Sequence, residues 1–381
     1  MKSKLFRQFA VSAGLLCAGA GEAAEYRFTD LGTLGGTESG ASSINASGQV
    51  VGWSRTAAGE YRATLWSGGT VTNLGTLPGG TQSGAYGINE SGQVVGWSSS
   101  GGDAFRAALW VGGAITDLGT LGGGYTLAYA INAIGEVVGE SRTTTGENRA
   151  TLWSGGTVTN LGTLVGGNGS DARAINASGQ VVGSTSFPSR SQRATLWSGG
   201  VITELGTLPS GPDSNAYAIN DSGQAVGRSF STTTGWQRAT LWDGTTATDL
   251  GTLLGGTESD AYGINTSGQV VGYSRTATGS YHATLWEGTD VIDLHSFLPD
   301  SYKSEGWVLD SALAINNSGQ IVVRSSNSLT GLSRAYLLSP VSVPEPATYP
   351  MAALGAVLIG AVSRRRKRSV ERAFGRSPPA H

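Results

Sequence analysis

The stretch Ala85-Tyr86-Gly87-Ile88-Asn89-Glu90-Ser91-Gly92-Gln93-Val94-Val95-Gly96-Trp97-Ser98 decides the fold, because it returns in recognisable form seven times. The asparagine of each Ile-Asn sets the register: Asn45, Asn89, Asn132, Asn176, Asn220, Asn265 and Asn316, at intervals of 44, 43, 44, 44, 45 and 51 residues. Units of this length cannot bury an apolar face alone and build propellers or arrays. One repeated unit fills most of the 381 residues, so a single closed domain is expected where length alone would suggest two or three.

Within the unit, residues 85–89 and 93–98 are short β-prone runs joined by Glu90-Ser91-Gly92, a hairpin signal. These are strands a and b. A Ser, Thr and Gly-rich loop follows, then residues 106–110 as strand c, a turn at Val111-Gly112-Gly113, and residues 114–119 as strand d. Strand b carries Val94 on one face and Val95 with Trp97 on the other, so its sheet should be covered on both sides, as a propeller blade is by its neighbours. Strand d occurs seven times, ending near Asp30, Asn73, Asp117, Asn160, Glu204, Asp249 and Asp293. The first d strand, residues 26–32, has no a, b or c before it, and the last a, b and c, residues 312–316, 320–325 and 334–338, have no d after them. Pairing the first with the last predicts an all-β, seven-bladed β-propeller of four-stranded blades in which no long sheet edge stays exposed. A linear β-solenoid would need polar caps, which the sequence does not show.

Glycine, 60 of 381 residues, is about twice its usual ~7% share, as many tight turns require. The formal net charge of −2 hides an asymmetry. Taking away residues 1–24, with three basic residues and one acidic, and 347–381, with seven and one, leaves 15 basic and 25 acidic residues, net −10. Lys303 is the one lysine in that body, which argues against nucleic acid, whose phosphates need a basic footprint. The single cysteine, Cys17, lies in the N-terminal apolar run, so no disulfide, thiol nucleophile or cysteine-bound metal is expected in the mature chain.

Both ends read as addresses. Residues 1–24 have a basic start, an apolar stretch and small residues before Glu25, the pattern of a secretory signal peptide. The propeller is assigned to 25–340, a linker to 341–348, a short transmembrane segment to 349–363 and a basic cytoplasmic tail to 364–381. As a helix those 15 residues would reach about 22 Å against a hydrocarbon core of about 30 Å, a marginal span. Basic residues stay cytoplasmic, placing the body across the membrane. Val343-Pro344-Glu345-Pro346, the apolar run and Arg364-Arg365-Arg366-Lys367-Arg368, in that order, resemble the PEP-CTERM sorting signal of Gram-negative bacteria. The resemblance implies transient inner-membrane anchoring, an exosortase-type processing enzyme as partner, and delivery to the cell surface or extracellular matrix. The recurring Asp-Leu-Gly-Thr-Leu, Ile-Asn-x-Ser-Gly-Gln-Val-Val-Gly and Ala-Thr-Leu-Trp, from about Asp30 to Leu338, resemble the HAF repeat family of extracellular proteins. Here the naming His-Ala-Phe triplet is mostly Arg-Ala-Thr, and His282-Ala283-Thr284 keeps the histidine. The resemblance implies no particular activity.

Several residue series invite a chemical reading. Trp66, Trp110, Trp153, Trp197, Trp242 and Trp286 close strand c at one fixed place, which suits a filler between blades better than a sugar platform. Arg62 and Asn73, Arg106 and Asp117, Arg149 and Asn160, Arg193 and Glu204, Arg238 and Asp249, and His282 and Asp293 are each 11 apart, nearly opposite across a c–d hairpin. The closing blade should add Arg334 against Asp30. The triplets at Asn45, Asn89 and Asn265 sit in a–b turns and read as turn chemistry rather than glycosylation sites. His282 and His295 lack metal-ligand spacing, and no Gly-x-Ser-x-Gly elbow or phosphate loop occurs, so no catalytic residue, metal or cofactor is assigned. Binding is expected instead on the b–c and d–a loops, which carry Phe187, Phe230, Trp236, Tyr302 and Trp307. The reading is an exported, monomeric, non-catalytic repeat protein with a structural or adhesive role toward a polysaccharide or surface protein. Its rival is a carbohydrate-active propeller enzyme using carboxylates near the central channel.

Overall fold

The computed structural model describes residues 25–101, 104–189 and 191–341. They form seven four-stranded antiparallel sheets, each with its strands in the order a, b, c, d. Blades 1 to 6 cover residues 35–73, 83–117, 122–160, 169–204, 214–249 and 259–293. In blade 2 the strands are Ser83–Ile88, Val94–Ser99, Phe105–Val111 and Ala114–Asp117. Blade 7 takes Trp307–Ile315, Ile321–Asn327 and Ser333–Val341 from the end of the chain and Glu25–Asp30 from its start. The Leu31 amide donates to the Ala335 carbonyl at 3.1 Å just beyond that join. The d strands end at the seven residues the sequence indicates. The insertion before blade 7 folds as a 3-10 turn, Leu294–Phe297, and a short helix, Asp300–Ser304.

Valine pairs explain the stacking. Val94 packs with Val51 and Ala63 of blade 1, whereas Val95 packs with Ala128, Val137 and Trp153 of blade 3. Consecutive residues of a strand point to opposite faces, so one Val-Val step serves two interfaces. The six strand-c tryptophans are 0–4% exposed and sit in these interfaces, and Leu338 takes their place in blade 7. Burying such a ring contributes a few kcal/mol, and truncation costs about 3–5 kcal/mol.

The repeated asparagines do more than shape a turn. The Asn89 side-chain oxygen accepts the Gln93 amide at 2.9 Å, and its Nδ2 donates to Gln93 Oε1 at 2.7 Å and to the Asn132 carbonyl of the next blade at 3.1 Å. The same inter-blade bond runs from Asn45 to Asn89, Asn132 to Asn176, Asn176 to Asn220, Asn220 to Asn265 and Asn265 to Asn316. Asn316 closes the circle on the Asn45 carbonyl at 3.0 Å, across the two ends of the chain. All seven are buried. Aspartate has no N–H to donate, and glutamine is longer by a methylene, so this bond selects asparagine.

Candidate functional site

Every strand a is bulged three residues before its asparagine, and those of blades 1, 3 and 7 carry a second irregularity further upstream. Register skips one residue between Ala85 and Gly87 in blade 2, and at the equivalent step in the other six blades. A bulge leaves one residue unpaired and re-aims its side chain. The residues so turned, Ser42, Tyr86, Tyr129, Arg173, Tyr217, Tyr262 and Leu313, all line the central channel. Two residues earlier on strand a, and directly opposite it on strand b, lie seven further pairs. These are Gly40 with Trp53, Gly84 with Trp97, Leu127 with Glu140, Asp171 with Ser184, Asn215 with Arg228, Asp260 with Tyr273, and Ser311 with Arg324. The core positions of the motif scarcely change between units, and these three do. That variation is the sequence signal for a site at the channel mouth, and a reading that treats the stretch as uniform passes over it.

In blades 1 and 2 the mouth is aromatic. Both indoles lie across strand a, where a Cβ on Gly40 would come 2.6 Å from Trp53 Nε1 and one on Gly84 2.7 Å from Trp97 Nε1. Only glycine admits the ring. Tyr61 stands 5.0 Å from Trp53, and Phe105 4.7 Å from Trp97, centroid to centroid. Trp53, Tyr61, Tyr86, Trp97, Gln82 and Arg324 line a cleft of about 470 Å³ spanning blades 7, 1 and 2. Its lining cation, Arg324, has Nε 2.8 Å from Asp310; Arg55, stacked on Tyr61 outside the cleft, lies 2.6 Å from Glu38.

Blades 3 to 5 present charge instead, and blade 6 sets a buried carboxylate, Asp260, beside Tyr273. Tyr129 donates to Glu140 Oε1 at 2.8 Å, and Arg173, stacked 4.3 Å over the Tyr129 ring, is bonded to Asp171. Burial pushes the Glu140 carboxyl above its usual range, and the Tyr129 hydrogen bond offsets part of this. Asp260, 1% exposed, lies 3.4 Å from Arg228, while its other oxygen has no partner. Burial raises its carboxyl to about 6 against the pull of Arg228.

The other singled-out residues fall as follows. Arg106 is 2.9 Å from Asp117, Arg193 3.0 Å from Glu204, Arg238 3.0 Å from Asp249, His282 2.8 Å from Asp293 and Arg334 3.8 Å from Asp30. Where the partner is an amide the arginine turns elsewhere: Arg62 goes to Glu60 at 2.8 Å and Arg149 to Glu147 at 2.7 Å. A charge-assisted bond to a carboxylate outcompetes one to a neutral amide. Asn73 and Asn160 accept only the Gly75 and Gly162 amides, each at 2.9 Å. Of the aromatics expected in loops, Phe187 lies in one. The b–c hairpin of blade 5, however, pairs as far as Ser231 with Trp236, so Phe230 belongs to strand b and Trp236 opens strand c, and Trp307 opens strand a of blade 7. Trp236 is 42% exposed, and Phe187 and Phe230 are half-buried. Tyr302 and Trp307 pack on Phe28 and Tyr336, fastening blade 7. The structure does not gather these five into one cleft with Trp53 and Trp97. The His282 and His295 rings meet at 4.4 Å, and among the described residues no group of three or more His, Cys, Asp or Glu is placed to hold a metal. Val343, Pro344, Glu345, Pro346, Arg364, Arg365, Arg366, Lys367 and Arg368 lie outside the described residues, as do the signal peptide and the segment 349–363. Among the described residues no helix is long and apolar enough to cross a membrane.

Residues 342–367 match the family model of the PEP-CTERM protein-sorting motif. This signal belongs to exported proteins and implies recognition by an exosortase-type processing enzyme. No curated protein matches the chain. Among solved structures, a puromycin-hydrolyzing peptidase of Mycobacterium tuberculosis is similar at 12% identity and TM-score 0.49, covering 85% of this chain and 57% of that one. A gluconolactonase of Xanthomonas campestris shows 12% identity and TM-score 0.39, covering 83% and 90%. The Aleuria aurantia lectin shows 12% identity and TM-score 0.38, covering 70% and 99%. The chain thus spans little more than half of the peptidase, and likenesses this distant carry no inference about activity.

Proposed function

We propose that this exported propeller is retained at the cell surface or its polysaccharide, where it binds a carbohydrate at the channel mouth without turning it over. The observation that carries this is the cleft of Trp53, Tyr61, Tyr86 and Trp97 with Gln82 and Arg324 at its edge. Flat aromatic faces stack on the C–H faces of pyranose rings, and a few polar groups fix the hydroxyls. A mostly apolar concavity of about 300–1,000 Å³ with sparse polar groups is the usual form of a small-ligand site. A glycan array probed with residues 25–341, which contain every strand of every blade, tests the reading. Binding that falls at least about tenfold in Trp53→Ala and Trp97→Ala, and holds in Trp236→Ala, is expected of central anchoring residues. Binding indifferent to both tryptophans would refute it.

One observation favours the enzymatic reading: beside the channel, burial raises the carboxyl of Glu140 above its usual range and that of Asp260 to about 6, the direction a general acid needs. Release of reducing ends from a bound glycan, abolished by Glu140→Gln or Asp260→Asn, would establish that reading in place of binding alone.

A further inference from the structure

Resting on the carbohydrate reading, we propose that the ligand is an internal segment of a neutral, extended glycan laid across blades 6, 7, 1 and 2, rather than a terminal sugar. A second cleft, of about 340 Å³, opens between blades 6 and 7 and is lined by Tyr262, Tyr273, Tyr281, Asp310, Ser311 and Arg324. Tyr273 and Tyr281, 5.1 Å apart, stand in blade 6 where Trp53 and Tyr61 stand in blade 1 and Trp97 and Phe105 in blade 2. The strand-b and strand-c aromatic pair is therefore present three times, in blades 6, 1 and 2.

Between them, blade 7 supplies Arg324, which lines both clefts. Its side chain is 51% exposed and braced by Asp310, so it offers guanidinium N–H donors to hydroxyls at the join. Blades 3, 4 and 5 put Glu140 and Asn148, Ser184 and Gln192, and Arg228 and Gln237 at the same two positions. The track therefore has two ends, marked by the exposed rings of Tyr281 (43%) and Phe105 (36%). A ring-shaped site would suit one sugar per blade, whereas a track with two ends suits a linear chain. Beside the track, Arg324 and Arg55 are paired with Asp310 and Glu38, Arg275 over the Tyr281 ring bonds only the Gly279 carbonyl among the described residues, and the body carries net −10. A chain bearing uronate or sulfate on every unit would meet net repulsion from this acidic body, with the one unpaired arginine to offset it.

A chain that fills both clefts makes its second contact intramolecular, so affinity should climb with chain length until the track is full. Calorimetric titration of residues 25–341 with cello-, xylo-, manno- and β-1,3-gluco-oligosaccharides of one to eight units tests this, with oligogalacturonates as the charged comparison. For a neutral series, affinity should rise at least about tenfold from the disaccharide to the hexasaccharide. Tyr281→Ala, at an exposed position, should remove that gain; Tyr273→Ala should do the same. Full affinity for a monosaccharide, or a length gain untouched by both tyrosine variants, would overturn the track while leaving the carbohydrate reading intact. Preference for oligogalacturonate would overturn the neutral ligand. Absence of binding to every series, with Trp53→Ala indistinguishable from the unaltered chain, would overturn both.

Discussion

The two ends of the channel differ in one respect that explains the rest: at the turn end seven blades carry the same residue, and at the mouth they carry seven different sets. The asparagines are alike because each must hold its own turn and donate to the next blade, and Asn316 must reach Asn45 for the circle to shut. Nothing of the kind constrains the bulged residue or the strand-b residue opposite. There the chain places serine, tyrosine, arginine and leucine on one backbone geometry. Closure accounts for the constant part of the repeat, and the varied part is left for a ligand.

The sharpest way to break this contrast is at the constant end. Asn89→Ala removes two side-chain donations, strips the Gln93 amide of its acceptor and deprives the buried Asn132 carbonyl of one donor. At about 1–3 kcal/mol for each buried group left unsatisfied, and with the Asn132 carbonyl keeping the Gly135 amide, the loss should be about 2–4 kcal/mol. Denaturant unfolding should show it, with the glycan affinity of the surviving folded fraction unchanged. A loss under about 0.5 kcal/mol, the range of ordinary surface substitutions, would make the asparagines mere turn formers.

The charged sector of the mouth should respond to pH. Asp260 titrates at about 6 when folded, against about 3.9 in an unfolded chain. Between those values the folded state holds more protons than the unfolded, so stability falls as pH rises from about 4 to 6 and is fully restored only below that window. Asp260→Asn should flatten this slope, removing a pH-dependent contribution of about 1–3 kcal/mol measured as melting temperature against pH. An unchanged slope would mean that Asp260 is ionised and satisfied in the fold, and that the mouth is less desolvated there than its burial implies.

In the aromatic sector, Gly84→Ala alters the mouth without replacing an aromatic residue. Its Cβ would lie 2.7 Å from Trp97 Nε1, so the indole must swing away. Overpacking of this kind costs about 1–3 kcal/mol, and the outer ring can yield, so about 1–2 kcal/mol is expected. Glycan affinity should fall with it. Unchanged affinity would show that the flat placement of Trp97 is packing alone.

How much of this the chain discloses follows from the same contrast. Blade number, strand order and the shared closing blade are legible because turn glycines, Val-Val steps and the Ile-Asn marker recur at fixed intervals, and the unmatched d strand at Tyr26 has one place to go. The contact of Arg106 with Asp117 is also readable from the constant spacing, although the turn is only Gly112-Gly113, so that Asp117 stands opposite Ala108 and Arg106 reaches it diagonally at 2.9 Å. Spacing alone does not show that Arg62 prefers Glu60, because that choice depends on a nearby carboxylate outbidding Asn73. The mouth was harder to see for a different reason. A bulge adds one residue without changing composition, so Tyr86 reads as an ordinary member of an alternating strand until the register shift turns it into the channel. Likewise Trp97 reads as a blade filler like Trp110, although the glycine opposite leaves its face half-open.

The smallest effect concerns the outer hairpins, where constancy is partial. Arg238 reaches both oxygens of Asp249, at 3.1 and 3.0 Å, and also donates to the Thr257 carbonyl at 3.3 Å, just before strand a of blade 6. Arg62 and Arg149 make the same inter-blade reach, to Thr81 and Asn168, although neither meets an acid at the paired position. Arg62, Arg149 and Arg238 thus share the bond to the next blade, whereas Arg106 and Arg193 show the hairpin ion pair without it. Arg238→Ala should cost about 0–1 kcal/mol, the range of partly exposed pairs. Arg238→Lys separates the two contributions, because an ammonium keeps the charge but cannot serve Asp249 and Thr257 through one planar fork. If the lysine variant matches alanine in a thermal melt, the fork between blades is what the arginine supplies. If it matches the unaltered chain, charge against Asp249 suffices, and an Asp249→Asn double-mutant cycle should then recover the whole effect as coupling between the two.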